Sequence, residues 1–518
     1  MPLMETLAKA QAVAAGRAQP LATVRHRWLS DRPLVFVPLT TAGEVGAPLG
    51  ALVGTERDAP HLLVVPQPRD RDLRSAFLAA LADEMLPYLT SYEDRTVLEP
   101  GRETDPETGK KVSVERELCE DAPQLIVPNP AGVEYVRLLG RATRFRRTAE
   151  EDPADPYPAP SQVPLLGRWL THYGERARTP GSALLLAMTE LLSLHWATGQ
   201  SGLEDQHLGA LLAWLDPPQG VDGAQAALRA QVGRGADGLL CCPPAGPATD
   251  PVFDNTALAP AIDRYDAARS AGADTGPAER EIRALLTSQL RPTWDDVWRG
   301  IDLLRALPPG GHVEDRWKRD RWSYTGHRDR LRAGEPPQPR VDDAVTAAQK
   351  LSGRETAQAR LDAQEALDDP LVMAGRRLAG EAFAGEVTAV EMAYSDGKVP
   401  RPRPLLTVAT DDEPHLDEGG TVYRALPDGR TQEARFTGWT APGVLRVQLL
   451  NGMGRGKVPD EGSVPEVGDR LCWTLFEHAP RGGPELPDAD ATPWTHGGPP
   501  SSAPGAATHD PVTSEDYL

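Results

Sequence analysis

The sequence predicts a mixed α+β protein of several domains. Three observations carry that reading. The first part of the chain alternates β-branched apolar runs with helical periodicity. The middle carries one i, i+3, i+4 apolar set after another. From about residue 381 the period switches to two, with turn residues between short apolar runs. At 518 residues there is length for two to four domains.

The opening "RPLVFVPLTTAGEVGAPLGALVG" and "HLLVVPQ" read as strands, two of them paired. A helix follows in "RDLRSAFLAALADEMLPYL", where Leu73, Phe77, Leu78 and Leu81 recur at helical spacing. Residues 92 to 122 are polar and charged, and read as a loop or insertion. "PQLIVPN" is a short strand, and a helix runs from Ala131 to about Arg147. Residues 1–150 are therefore expected to form an α/β domain, with 151–162 a Pro-rich acidic linker.

Residues 163–340 are expected to be helical. "ALLLAMTELLSLHWA" reads as one buried helix, "GLLCCPPAGPATDP" as a loop, and Thr293 before Trp294, Asp295 and Asp296 as a helix start. Residues 341–380 form a stalk: an Ala-rich charged helix, then a second one capped by Asp369 with Pro370 at its first position. About six short strands within 381–478 suggest a small antiparallel barrel. Residues 479–518 read as a disordered acidic tail.

The net charge of -20 argues against a globally basic nucleic-acid coat protein and leaves room for a local basic site. Cys119, Cys241, Cys242 and Cys472 have no CxxC spacing, so no structural metal site is expected and a reducing, cytoplasmic setting is the simplest reading. No run has the apolar length of a membrane span. "LLNGMGRGKVPDEG", residues 449–462, imitates a phosphate-binding loop. Asn451 stands where its first glycine belongs, Val458 replaces the Mg²⁺-binding hydroxyl, and Pro459 blocks a helix. It reads as a hairpin-like loop between the last two barrel strands, offering Arg455 and Lys457.

The most informative segment is "RWKRDRWSYTGHRDRLR", residues 316–332. Arg316, Lys318, Arg319, Arg321, Arg328, Arg330 and Arg332 interleave with Trp317, Trp322 and Tyr324. Cations neutralise phosphates and aromatic faces stack on bases, so these residues with Arg455 and Lys457 are the candidate nucleic-acid contacts. The same pattern fits aromatic core residues with arginines around them. "RLLGRATRFRR" and Arg401 and Arg403 are further basic positions. No catalytic constellation emerges: Glu44 and Asp70 flank strands without an E-x-K, and neither H-E-x-x-H nor G-x-S-x-G occurs. No cofactor is expected.

The order of elements in 341–478, with "DDPLVMAGRRLAGEAFAGEV" and a barrel ending "GDRLCWTLFE", resembles the stalk-and-barrel insertion of Upf1-like superfamily 1 helicases. That resemblance implies a barrel that helps hold single-stranded nucleic acid. With no Walker A and no motor domain here, it also implies a separate ATPase or helicase chain. The expected function is a non-catalytic accessory protein binding DNA, RNA or such a motor. The alternatives are a protein-interaction scaffold whose arginines are structural, and an enzyme built on the N-terminal domain.

Overall fold

The computed structural model describes residues 2–480 except 105–108, 245, 397–399 and 455. The expected acidic tail lies outside the described residues from 481 on. The chain is a mixed α+β protein of two compact units. One is built from Lys9–Pro20 and Arg25–Leu351, the other from Met1–Ala8, Leu21–Val24 and Ser352 onward.

Helix α1 (Pro2–Ala15) opens the chain. The larger unit continues with β1 (Gln19–Pro20), β2 (Leu34–Thr40), β3 (Pro48–Gly54), β4 (His61–Val64) and α2 (Arg71–Leu89). Asp70 caps α2 by accepting from the backbone N–H groups of Asp72 and Leu73. Next come β5 (Thr96–Thr104), β6 (Lys111–Cys119), β7 (Leu125–Val127), α3 (Pro130–Thr143), α4 (Val163–Ala177), β8 (Leu185–Ala187), α5 (Met188–His195) and β9 (Trp196–Ala197). The unit closes with α6 (Leu208–Leu215), α7 (Gly223–Val232), α8 (Pro251–Phe253), α9 (Ala259–Ser270), α10 (Gly276–Arg305) and α11 (Val313–Arg332).

Its sheet has the order β4-β3-β2-β7-β8, with β2, β7 and β8 parallel and the β2-β3-β4 meander antiparallel. Every residue of β2 is buried, as a strand covered on both faces requires. One apolar core runs from Leu29 to Tyr324, so the segment 163–340 supplies a strand to the sheet as well as helices.

Three local expectations change. "ALLLAMTELLSLHWA" is not one helix: it begins as β8, turns into α5 and ends as β9. The sheet edge beside β7 claims Leu185–Ala187, which overrides helix propensity. Thr293 does not start a helix, because α10 runs through Pro292 without a break and buries Leu290, Trp294 and Val297 on one side. Thr96–Thr104 and Lys111–Cys119 are not loop; they pair as a nine-residue antiparallel ribbon, β5 with β6.

The smaller unit holds most of α12 (Ala344–Asp368), then α13 (Pro370–Leu378) and the closed antiparallel barrel β10-β11-β14-β13-β12-β15. Its strands are β10 (Ala382–Glu391), β11 (Leu405–Ala409), β12 (Thr421–Ala425), β13 (Thr431–Ala441), β14 (Val444–Leu449) and β15 (Arg470–Thr474). Alternate residues such as Leu406, Val408, Leu445 and Val447 fill the interior. Asp369 caps α13 and also accepts from Thr23. The 450–469 segment is not a hairpin, since β14 and β15 are not neighbours in the barrel. It crosses from one strand to the other and buries Met453 on the way.

Candidate interaction surfaces

Helix α11 buries Arg316, Trp317, Asp320, Tyr324, His327 and Arg328 along one stripe at helical spacing. Trp317 stacks on Trp28 at 5.4 Å, and its indole N–H donates to Asp121 at 2.7 Å. Tyr324 stacks on Trp169, and its hydroxyl donates to the Leu89 carbonyl at 2.8 Å. Arg316 donates to the His26 carbonyl. Asp320 accepts from Arg176, from the Ser182 hydroxyl and from the Ala183 N–H, tying α11 to the approach of β8.

The cations expected to meet phosphate meet protein. Lys318 pairs with Glu99 of β5 at 2.7 Å, and Arg321 donates to the Glu120 carbonyl. Arg328 donates to the Glu93 carbonyl and approaches Glu117 of β6 at 3.5 Å. The Cys119 N–H donates to Thr325. Arg332 pairs with Glu93 and Asp94. Together these bonds fasten the root of the β5–β6 ribbon to α11. Arg319 and Trp322 are half-buried and Arg330 is exposed.

Outside these bonds the ribbon is bare, at its root as well as farther out. No third strand pairs with β5 or β6 among the described residues. Val97, Leu98 and Val112 are 39%, 64% and 39% exposed. Two strands alone are marginal in water, and unpaired edges offer N–H and C=O groups for a further strand.

On the barrel, Lys457 is exposed and Arg455 lies outside the described residues. The Leu449 N–H donates to the Pro404 carbonyl, so the 450–469 connection and the one carrying Arg401 and Arg403 share an end of the barrel. Trp439, which the sequence reading passed over, is 46% exposed and packs edge-on against Phe436 at 6.0 Å. Trp439 lies opposite the buried Leu445, whereas Arg446 lies opposite Gly438 and Thr407 and pairs with Glu391. Arg435 is exposed opposite Gln448.

The enzyme-like features are these. Glu44 and Asp70 are engaged by Arg69 and Arg269, and Asp70 is held below the usual carboxylate range by the Leu73 N–H, then by Arg269. His61 and Glu84 form a 2.5 Å pair in a cavity of about 430 Å³ that Arg32, Tyr88 and Tyr92 also line. Their separation by 23 positions, across a strand and a helix, left no motif to read. Cys242, His207 and Asp296 all come within 3.5 Å of where a Cβ on Gly209 would sit. Burial raises the Cys242 thiol to about 12 and Asp296 to about 6, the reverse of an activated nucleophile. No group of three or more His, Cys, Asp or Glu side chains is arranged to hold a metal ion among the described residues. Nor, among them, is any helix long and apolar enough to cross a membrane. No family model, curated protein or solved structure matches the chain.

Proposed function

We propose that this chain is an accessory protein that docks onto a partner polypeptide through the β5–β6 ribbon. The observation that carries the reading is a nine-pair ribbon with two unpaired edges and exposed Val97, Leu98 and Val112, anchored at its root by the cations of α11. The occupant is an extended segment of a partner chain that adds a strand to one edge. The arginines of residues 316–332 are then structural. A separate motor chain of helicase type, implied by the barrel resemblance, is one partner to test.

Hydrogen exchange on the natively purified complex tests this. Ribbon amides should exchange rapidly in the isolated chain and be protected in the complex. Leu98→Asp with Val112→Asp should abolish association and leave the fold intact. Unchanged exchange in the ribbon while the complex forms refutes it.

One observation favours a second reading, nucleic-acid contact through the barrel: β13 exposes Trp439 and Arg435, and Arg446 of β14 lies opposite Gly438, so the barrel offers a ring and cations of the kind that single strands use. Binding of a single-stranded oligonucleotide should then fall steeply with salt and be lost in Trp439→Ala. Equal binding by that variant removes this reading.

A further inference from the structure

The smaller unit contains a cavity of about 420 Å³ between the α12–α13 junction and strands β12 and β15. Arg424 forms part of its wall and is only 5% exposed. The Arg424 side chain enters from β12 on the same side as Val422, so the barrel's own alternation puts a guanidinium at the edge of the apolar interior. Its Nε donates to Gln432 Oε1 at 2.7 Å, and Nη2 donates to the Ser463 carbonyl at 3.0 Å. The group also lies over the Trp473 ring at 5.6 Å.

These partners fix the plane of the fork and carry no charge, and the Asp469 carboxylate acts on it only at a distance. No carboxylate among the described residues forms an ion pair with Arg424, and Nη1 has no hydrogen-bond partner among them. Burial pulls its pKa down to about 10. A buried cation whose nearest carboxylate is out of contact is costly unless something brings a negative charge closer. Asp320, Arg328 and Asp369, also strongly buried, each have their partners in place.

The rest of the wall fits an anion with an apolar body. Leu367, Met373 and Leu471 supply apolar surface, and Arg470, 3.7 Å from Glu386, stands at the rim. Pro370, the first residue of α13, also lines the space. Asp368 is the one acidic lining residue.

We propose that this cavity is a binding site for a small organic anion, its carboxylate or phosphate head held by Arg424 and its short apolar body lying against Met373 and Leu471. Planar guanidinium forks already oriented by other bonds suit such heads. The proposal is independent of the ribbon and of the Trp439 reading, neither of which involves these residues.

Calorimetric titration of the full chain at low salt, with inorganic phosphate and with hexanoate as probes, tests it. Saturable one-to-one binding of either probe is expected below about 10 mM. Hexanoate should bind more tightly if the apolar wall contributes. Arg424→Gln should weaken binding at least tenfold. Because that change also alters the barrel interior, Ala425→Glu serves as the second variant: it sets a carboxylate at the rim while keeping Arg424, and should weaken binding to the same degree. Asp368→Asn should strengthen it. Absence of saturable binding of both probes to the folded wild type overturns the proposal. So does unchanged affinity in a folded Ala425→Glu protein.

Discussion

Acidification should destabilise the larger unit through two stacked histidines. His172 of α4 and His327 of α11 lie parallel at 4.3 Å, buried beside Trp169. Nε2 of each is buried without a hydrogen-bond partner, and the Gln338 amide approaches His327 Nδ1 at 3.5 Å. Burial is the largest cause that holds both imidazoles neutral, and the positive charges of Arg330, Arg168 and Arg176 reinforce it. His327 falls from an ordinary 6.5 to about 3, and His172 falls well below its usual value. Between those limits the unfolded chain binds protons that the folded one refuses. Stability is therefore complete above pH 6.5 and declines as the pH falls toward 3. At pH 5 the deficit is 1.5 pH units, or about 2 kcal/mol for His327, and His172 acts in the same direction. That is a large part of an ordinary domain's stability of about 5–15 kcal/mol. Glu93, Glu190, Asp205 and Asp296 act in the opposite sense, since burial raises them and acid neutralises them. The measurement must therefore be differential. Urea unfolding of the wild type and of His172→Phe/His327→Phe, which keeps two rings and no titration, should show curves that diverge by about 2 kcal/mol or more between pH 7 and 5. Parallel curves, or imidazole NMR titrations near 6.5, refute the reasoning.

Further outcomes can be checked one by one. Asp320→Ala should cost about 3–5 kcal/mol in urea unfolding, because it leaves Arg176 and the Ala183 N–H without their buried acceptor. Gly140→Ala or Gly167→Ala should destabilise by about 1–3 kcal/mol despite the gain in helix propensity. The new methyl would sit 2.6 Å from the Thr171 nitrogen or 2.4 Å from Thr143 Oγ1, across the α3–α4 contact. In a Cys241→Ser background, disulfide-reagent labelling of Cys242 at pH 8 should be roughly a thousandfold slower than that of a free thiol, because so little of it is thiolate.

Much of the fold was legible because it rests on local chemistry. Asp369-Pro370 announced α13, and alternation in "VLRVQLL" announced a barrel strand whose Leu445, Val447 and Leu449 are buried. The ribbon was not legible, and for a physical reason. Strand patterning in a sequence records burial of one face, and β6 is exposed over most of its length. With no face to bury, Lys111–Glu117 carries the composition of a loop while pairing as a strand. β8 failed for the converse reason: three buried residues are too few to show a period, so the neighbouring helix pattern absorbed them.

The basic–aromatic stretch makes the same point about function. Composition places seven cations and three aromatics together in residues 316–332, but it is silent on which side of the helix each faces and what lies opposite. Phosphate and a protein carbonyl draw on the same guanidinium chemistry. The distinction comes from elements far away in the chain: Glu93, Glu99, Glu117 and Glu120 had been read as part of a charged insertion, and they supply the acceptors. A cation cluster in an acidic chain is thus ambiguous until its counter-charges are located. Arg424 is the inverse case. It is a single arginine in an ordinary strand, and it gains its chemical interest from being buried with no carboxylate in ion-pair contact among the described residues. Charge density along the sequence pointed to the cations whose partners lie within the protein, whereas Arg424 required the surroundings of each guanidinium to be known.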